Sequence, residues 1–447
     1  MNERKQRHCL HRMSKFLLPS SCLPPYPASS WAAVKHCLTS QLSQLDSVLV
    51  SQLSQNGVTD QVDAGPDYQA FLARHKAVAQ EARQWTIPAW SPALECAGVE
   101  GVQHRIREWA VRMEELFPSS HLPVLETDKE LSEVVLTRDQ VRCLLANMLL
   151  CTLKPAEHNK YWVTFQSWLT RETSPSVAYL TCLLRYFSSD KGSTKEEEQE
   201  VVFRRVSCQG SLPDWGNCQE KLIKLEVVCP SKIGDDPHEV EIDFANKDVG
   251  FGPGGTQEEI IFGMTPEACP AVLISPTLLD TECLLISGAR RMGRSSGYGF
   301  SVKYDGEGDG MPRTILCMDA LELGDGVSDH QQASGQLLVR ELVKCYTGFR
   351  SVRGSVVGTG AWGCGAFGGD RDVKLAIQVV AASAAGVGTL RYRTGDEELG
   401  KRLEKVVKFL EKEKFTVAML VAKLETFSVL EPKEPFLEWI QTSFYDY

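Results

Sequence analysis

Gln257, Glu258 and Glu259 follow directly on the glycines at 250, 252, 254 and 255, in the segment IDFANKDVGFGPGGTQEE. Glycine lets a backbone come close to a phosphate or ribose, and it adopts φ > 0 where a side chain would clash. The same glycines would also serve a tight turn, and the paired acids a helix start, where carboxylates complement the macrodipole. Carboxylates behind such a loop suit glycosidic cleavage. An acid of raised pKa protonates the leaving oxygen, water attacks, and nearby negative charge, including a diphosphate on the ligand itself, stabilises the oxocarbenium-like state.

A second loop, VVGTGAWGCGAFGGD, carries Gly358, Gly360, Gly363, Gly365, Gly368 and Gly369, and ends on Asp370, a candidate cap for a helix over Arg371–Ala385. Its successive N–H groups and that helix's N-terminus predict an anion nest suited to a diphosphate. No Gly-Lys-Ser/Thr follows, so this is not a Walker loop, and it does not occupy the first-strand position of a dinucleotide fingerprint. Trp362 and Phe367 either stack on a base or ribose or pin the loop to the core. Cys364, without a basic partner in the sequence around it, reads as a small packed residue.

Other chemistries are poorly supplied. After residue 200 only His238 and His330 occur, neither beside a plausible nucleophile, which argues against a Ser-His-Asp or Cys-His mechanism in this half. The 15 cysteines include no Cys-x-x-Cys pair, and there is no His-x-x-x-His, so neither a metal site nor a cofactor is expected. Free thiols in a reducing compartment account for the cysteines better than a disulfide framework does.

The elements that must position these loops can be read from patterning. A chain of 447 residues allows two or three units, and 43% hydrophobic with 24% charged residues is a globular composition. The longest apolar runs, such as Cys143 to Leu153, fall short of the roughly 20 residues that span a bilayer. A net charge of -10 argues against gripping a polyanion by counterion release. Residues 1–30 read as an extended, Pro-rich leader. Their apolar stretch is too short for a signal-peptide core, which leaves a cleaved transit peptide as the alternative to a plain cytoplasmic or nuclear start.

Helical stripes run over Trp31–Leu53, Phe71–Trp85, Val102–Phe117, Asp139–Leu153 (with Thr137 as a cap) and Ser174–Phe187. The polar run from Ser188 to Glu200 predicts a boundary between a helical accessory domain, 31–200, and a second domain, 201–447. In the latter, strand-like runs at Leu222–Cys229, Val240–Ala245, Ala271–Ser275, Glu282–Ser287, Tyr298–Tyr304, Thr314–Asp319 and Gly388–Tyr392 mix with helices at Gln332–Tyr346, Arg371–Ala385, Asp396–Glu413 and Thr416–Phe427. The expected class is α/β, a mixed sheet between helices.

Asp243-Phe244-Ala245-Asn246, the glycines and Gln257-Glu258-Glu259 resemble the signature of the poly(ADP-ribose) glycohydrolases, and Thr359 to Asp370 is similar to that family's phosphate loop. Leu144-Leu145-Ala146-Asn147 with Cys151-Thr152, Pro213-Asp214-Trp215, Glu282-Cys283-Leu284 and Gly297-Tyr298 resemble family segments in the same order, so the likeness covers about residues 130 to 425. The resemblance implies a macrodomain-like sheet preceded by a mainly α-helical domain, and hydrolysis of ribose-ribose bonds in poly(ADP-ribose) without a metal. It implies Glu259 as general acid and then base, with Glu258 and Asn246 on the ribose hydroxyls. Gln257 and Tyr298 would lie against the adenosine. Gly365, Ala366 and Phe367 would wrap the diphosphate and the distal ribose, and Asp243 would orient Asn246.

The implied setting is a monomer of the nucleus or cytoplasm, within the DNA damage response. It would act on the polymer and on ADP-ribosylated proteins, with no direct DNA contact and no membrane. The chain departs from the family in having Gly250-Phe251-Gly252 for three consecutive glycines, four residues before Gln257 where six to eight are usual, and Ala361 for an Asn. Two other readings use the same pocket. One is a macrodomain that binds ADP-ribose without cleaving it; the other is a hydrolase of single ADP-ribose groups on proteins.

Overall fold

The structure is a computed structural model that describes residues 90–443, with short breaks and longer ones at 154–163 and 190–199. The leader, the stripes at Trp31–Leu53 and Phe71–Trp85, and most of the polar run before Glu200 lie outside the described residues.

Helices α1 (Trp90–Ala97) and α2 (Val102–Ala110) precede a strand, β1 (Leu131–Thr137), inside the stretch whose patterning is mainly helical. The strand follows from alternation, since Val134 and Leu136 are buried while Leu131 and Val135 are exposed. Thr137 then caps α3 (Arg138–Leu149) through a reciprocal box with Gln140. Thr173, with Pro175 in the first turn, starts α4 (Ser174–Ser188).

The chain continues through β2 (Glu200–Ser207), β3 (Leu225–Val228), β4 (Val240–Asp243), α5 (Gln257–Met264), β5 (Glu282–Arg290), a hairpin of β6 (Gly293–Ser296) with β7 (Lys303–Glu307), and β8 (Pro312–Cys317). It closes with α6 (Gly335–Arg350), β9 (Val356–Thr359), α7 (Arg371–Ala385), β10 (Thr389–Arg393), α8 (Glu397–Lys412), α9 (Val417–Leu430) and α10 (Phe436–Thr442).

Eight strands form one mixed sheet in the order β1-β2-β5-β8-β4-β9-β10-β3. The pairs from β1 to β8 are antiparallel and those from β8 to β3 parallel. Alternate residues of β5 serve opposite cores. Leu284 and Ile286 join α1 to α5 on one face, and Cys283 and Leu285 join α6 to α10 on the other. Fully buried Glu267 is partnered from two sides: Arg138 Nη1 donates to its Oε2 at 2.6 Å and Arg290 Nε donates to its Oε1 at 3.0 Å.

Two expected strands differ. Ala271–Ser275 forms a helical turn over Ala271–Ile274, with Pro270 just before it. All four residues are buried, so the run has no period to separate helix from strand. In Tyr298–Tyr304 only Lys303 onward is strand, because Gly297 and Gly299 take φ of 79° and 59° and set a 3₁₀ turn over Gly299–Ser301.

Candidate active site

β4 and β9 are hydrogen-bonded parallel neighbours, with Val240 opposite Val357 and Glu241 opposite Gly358. The chain therefore leaves their C-terminal ends side by side, which is where open α/β sheets bind ligands, and each end leads into one glycine loop. A cleft of about 1890 Å³ lies there, with Asn246, Gln257, Glu258, Glu259, Tyr298, Gly365, Ala366 and Phe367 among its lining residues. Small-molecule pockets are typically about 300–1,000 Å³, so the space suits a ligand longer than one compact molecule.

Glu259 is the third residue of α5 and completes a capping box. Its N–H donates to Thr256 Oγ1 at 3.3 Å, and its Oε2 accepts from the Thr256 N–H and hydroxyl, each at 2.9 Å. Its Oε1 accepts from the Gly254 N–H at 3.1 Å. A Cβ on Gly252 would lie 2.3 Å from Oε1, and one on Gly254 2.7 Å from Oε2. These two glycines thus make room for the chain's own carboxylate rather than for a ligand phosphate. Gly255 is needed for a different approach, since a Cβ there would lie 2.0 Å from the Gly299 carbonyl oxygen.

Glu258 is buried, and its Oε1 and Oε2 accept from the N–H groups of Gly250 and Asn246 at 2.9 and 3.0 Å. Burial, and then the charge of Asp243, push its pKa well above the usual carboxylate range. Asp243 is fully buried under the cleft and does not line it. Burial, with the charge of Glu241, lifts its pKa to about 7 against the pull of the Cys317 thiol. Neither Asp243 oxygen makes an ordinary hydrogen bond, and it is Glu258, not Asp243, that accepts from the Asn246 N–H. The Asn246 Oδ1 accepts from the Asp248 N–H at 3.0 Å. Gln257 spends its amide on the end of β4, accepting from Phe244 N–H and donating to the Ile242 carbonyl, both at 2.8 Å. Tyr298 stands on the rim with its side chain largely exposed.

In the second loop the two aromatics divide. Trp362 is fully buried and donates from Nε1 to the Met318 carbonyl at 2.9 Å, which pins the loop, whereas Phe367 is half-buried and lines the cleft. Cys364 lies mostly inside the protein, and burial pushes its thiol up to about 12, which disfavours the thiolate a nucleophile needs. Asp370 Oδ1 accepts from the N–H groups of Asp372 and Val373, both at 2.9 Å. The expected cap thus takes up two of the N–H groups at the N-terminus of α7. What remains is the loop itself: the N–H groups of Gly365, Ala366 and Phe367 donate to no group among the described residues. Three consecutive unspent amides form the kind of nest that holds an anion.

Sequence reasoning missed three residues that hold Glu259 in place. Thr256 was legible from its Thr-x-x-Glu spacing. Trp168, whose Nε1 donates to the Gly252 carbonyl at 2.7 Å, and Tyr179, whose hydroxyl donates to the Gly254 carbonyl at 3.0 Å, come from distant elements with no local signal. Among the described residues no group of three or more His, Cys, Asp or Glu is placed to hold a metal ion, and no helix is long and apolar enough to cross a membrane.

Two family models match the chain. One, described as poly(ADP-ribose) glycohydrolase, macro domain fold, matches residues 212–401, and the other, described as the helical domain of the same family, matches residues 100–205. Among curated proteins, poly(ADP-ribose) glycohydrolase 1 of Caenorhabditis elegans is 29% identical over 265 residues, which is 54% of this chain and 32% of that protein. Poly(ADP-ribose) glycohydrolase 2 of the same organism is 29% identical over 266 residues, 54% of each. The chain thus spans from a third to about half the length of these relatives. A solved chain named "Alphavirus P23pro-zbd" is similar at a TM-score of 0.29 and 10% identity, over 70% of this chain and 41% of its own. The sheet between helical layers is a macrodomain fold preceded by a helical domain.

Proposed function

The chain belongs to the poly(ADP-ribose) glycohydrolase family, and from that premise we propose that it hydrolyses ribose-ribose O-glycosidic bonds in poly(ADP-ribose), releasing ADP-ribose. The observation that carries the reading is Glu259, held by three donors in the same cleft as three unspent amides of the second loop.

In this mechanism Glu259 gives its proton to the leaving ribose oxygen while the bond from that oxygen to the anomeric carbon breaks, the electron pair departing with the oxygen. The oxocarbenium-like centre is stabilised by the ligand's own diphosphate and the neighbouring carboxylates. Water then adds to the anomeric carbon and returns a proton to Glu259, so one water is consumed per bond. Asn246 and Glu258 meet the ribose hydroxyls, Gln257 and Tyr298 border the adenosine, and the amides at 365–367 receive the diphosphate. Asp243 acts from below the cleft, by shaping the charge around Glu258. The net charge of -10 favours a ligand recognised locally over a DNA surface. The reading carries with it a monomer of the nucleus or cytoplasm that engages the polymer and ADP-ribosylated proteins.

The test is release of free ADP-ribose from purified poly(ADP-ribose) by the wild-type chain and by Glu259→Gln at matched concentration. Release by the wild type alone supports hydrolysis. ADP-ribose binding by calorimetry with no release from either would replace the enzyme with a binding module.

A further inference from the structure

We propose that Trp168 and Tyr179, two aromatic residues of the helical part, are positioning residues that hold Glu259 in its working geometry; the inference rests on Glu259 being the acid. Trp168, in the helical turn Gln166–Leu169, is 1% exposed, and Tyr179 on α4 is 0% exposed. A buried indole N–H or phenol needs an acceptor, and both find theirs in the first glycine loop, at the Gly252 and Gly254 carbonyls. Those two carbonyls belong to the peptides on either side of the Pro253–Gly254 peptide, whose N–H is the one that Glu259 Oε1 accepts from. Proline has no N–H to offer in its place. The donor to Glu259 is therefore clamped at both flanks by hydrogen bonds from a part of the chain far away in sequence.

The clamps have a rigid base. Phe165 stacks on Trp168 with ring centroids 4.5 Å apart and planes 16° apart. Trp168 also lies 5.1 Å from Phe251 inside the loop and 5.2 Å from Tyr179. The path of Tyr179 under α5 exists because residue 263 is glycine, where a Cβ would lie 2.1 Å from the Tyr179 ring. A loop with glycine at 250, 252, 254 and 255 has much backbone freedom to lose. In this arrangement the helical part restrains the loop, so that the carboxylate meets a fixed set of donors before substrate arrives.

The experiment compares full-length Tyr179→Phe, which removes only the hydroxyl, Trp168→Phe, which removes the N–H donor together with part of the indole, and their double variant, with Glu259→Gln alongside. Each single variant is expected to lower kcat on poly(ADP-ribose) about tenfold, in line with the cost of small misplacements. KM and ADP-ribose affinity should stay within about twofold. The double variant should lose less than the product of the two singles, because both act on one loop. Phe187→Leu instead trims a buried ring two turns further along α4 from Tyr179, outside the clamp. It should lower Tm and leave kcat unchanged.

Unchanged kcat in the Trp168 and Tyr179 variants, with Tm lowered as in Phe187→Leu and Glu259→Gln inactive, would reduce both residues to packing and overturn the proposal. Normal turnover by Glu259→Gln would overturn the assignment of the acid and the inference with it.

Discussion

A Cβ on Gly252, in the loop after β4, would lie 2.3 Å from Glu259 Oε1, whereas a Cβ on Gly365, in the loop after β9, would meet nothing within 4 Å. Both loops are glycine-rich, both leave neighbouring parallel strands, and both border one cleft. In the first, the space is already filled by the protein: Glu259 lies against Gly252 and Gly254, and Val272 against Gly250. In the second, Trp362 and Asp370 fasten the ends, while the middle presents unspent amides at Gly365, Ala366 and Phe367. Glycine count alone therefore does not mark a ligand-binding loop. What separates them is the middle of the second loop, where the space beside Gly365 is open although Gly363 and Gly369 are closely packed against Ala320 and Lys374.

The largest expected effect is on the group the first loop enfolds. Glu259→Gln should lower kcat by about 10²–10⁴, the usual weight of a general acid-base group, with ADP-ribose affinity retained in calorimetry. Equal loss of binding and turnover would break the division between the loops. Next, Gly252→Ala should leave a folded protein, because the clash falls on the end of a flexible side chain and Gly252 is not among the positive-φ glycines. It should cost about 10² in kcat through the displaced carboxylate, and single-turnover kinetics would show whether the chemical step has slowed.

Gly365→Ala should do the converse. Its Cβ enters open space, so Tm should hold, while ADP-ribose affinity falls about tenfold, or ~1.4 kcal/mol. A change in Tm without a change in affinity would mean that this loop, too, is filled by the protein.

The smallest effect concerns pH. Asp243, lifted from 3.8 to about 7, keeps its proton in the folded chain over an interval where the unfolded chain has released it. Stability contributed by that proton is present at low pH and declines as pH rises from about 4 to 7, and Glu258, also raised, acts in the same direction. Asp243→Asn should flatten the dependence of Tm on pH across that range; an unaltered slope would show that the proton resides elsewhere.

Much of this was legible in residue types and spacing. Both loops, the Asp370 cap, the Thr137 cap and the helices over Ser174–Phe187 and Arg371–Ala385 follow from capping and periodicity, which are local. The purpose of each glycine was not, because it depends on what lies across space. Gly263 faces Tyr179 from another helix, and Gly255 faces a carbonyl more than forty residues away in sequence. The role of Asp243 was hidden for the same reason. Its position on β4 is local, while the burial that shifts its proton affinity is set by the fold around it.

The pairing of β1 with β2 reaches beyond the site. Seven residues, Leu131 to Thr137, are matched one for one with Val206 back to Glu200, and β2 is joined to β5 on its other side. A version of the chain trimmed to begin at β2 would present that strand's bare edge to other molecules, a template for sticking chain to chain. It would also discard Trp168 and Tyr179. For anyone cutting, grafting or recombining this protein, the smallest portable piece therefore begins upstream of Leu131.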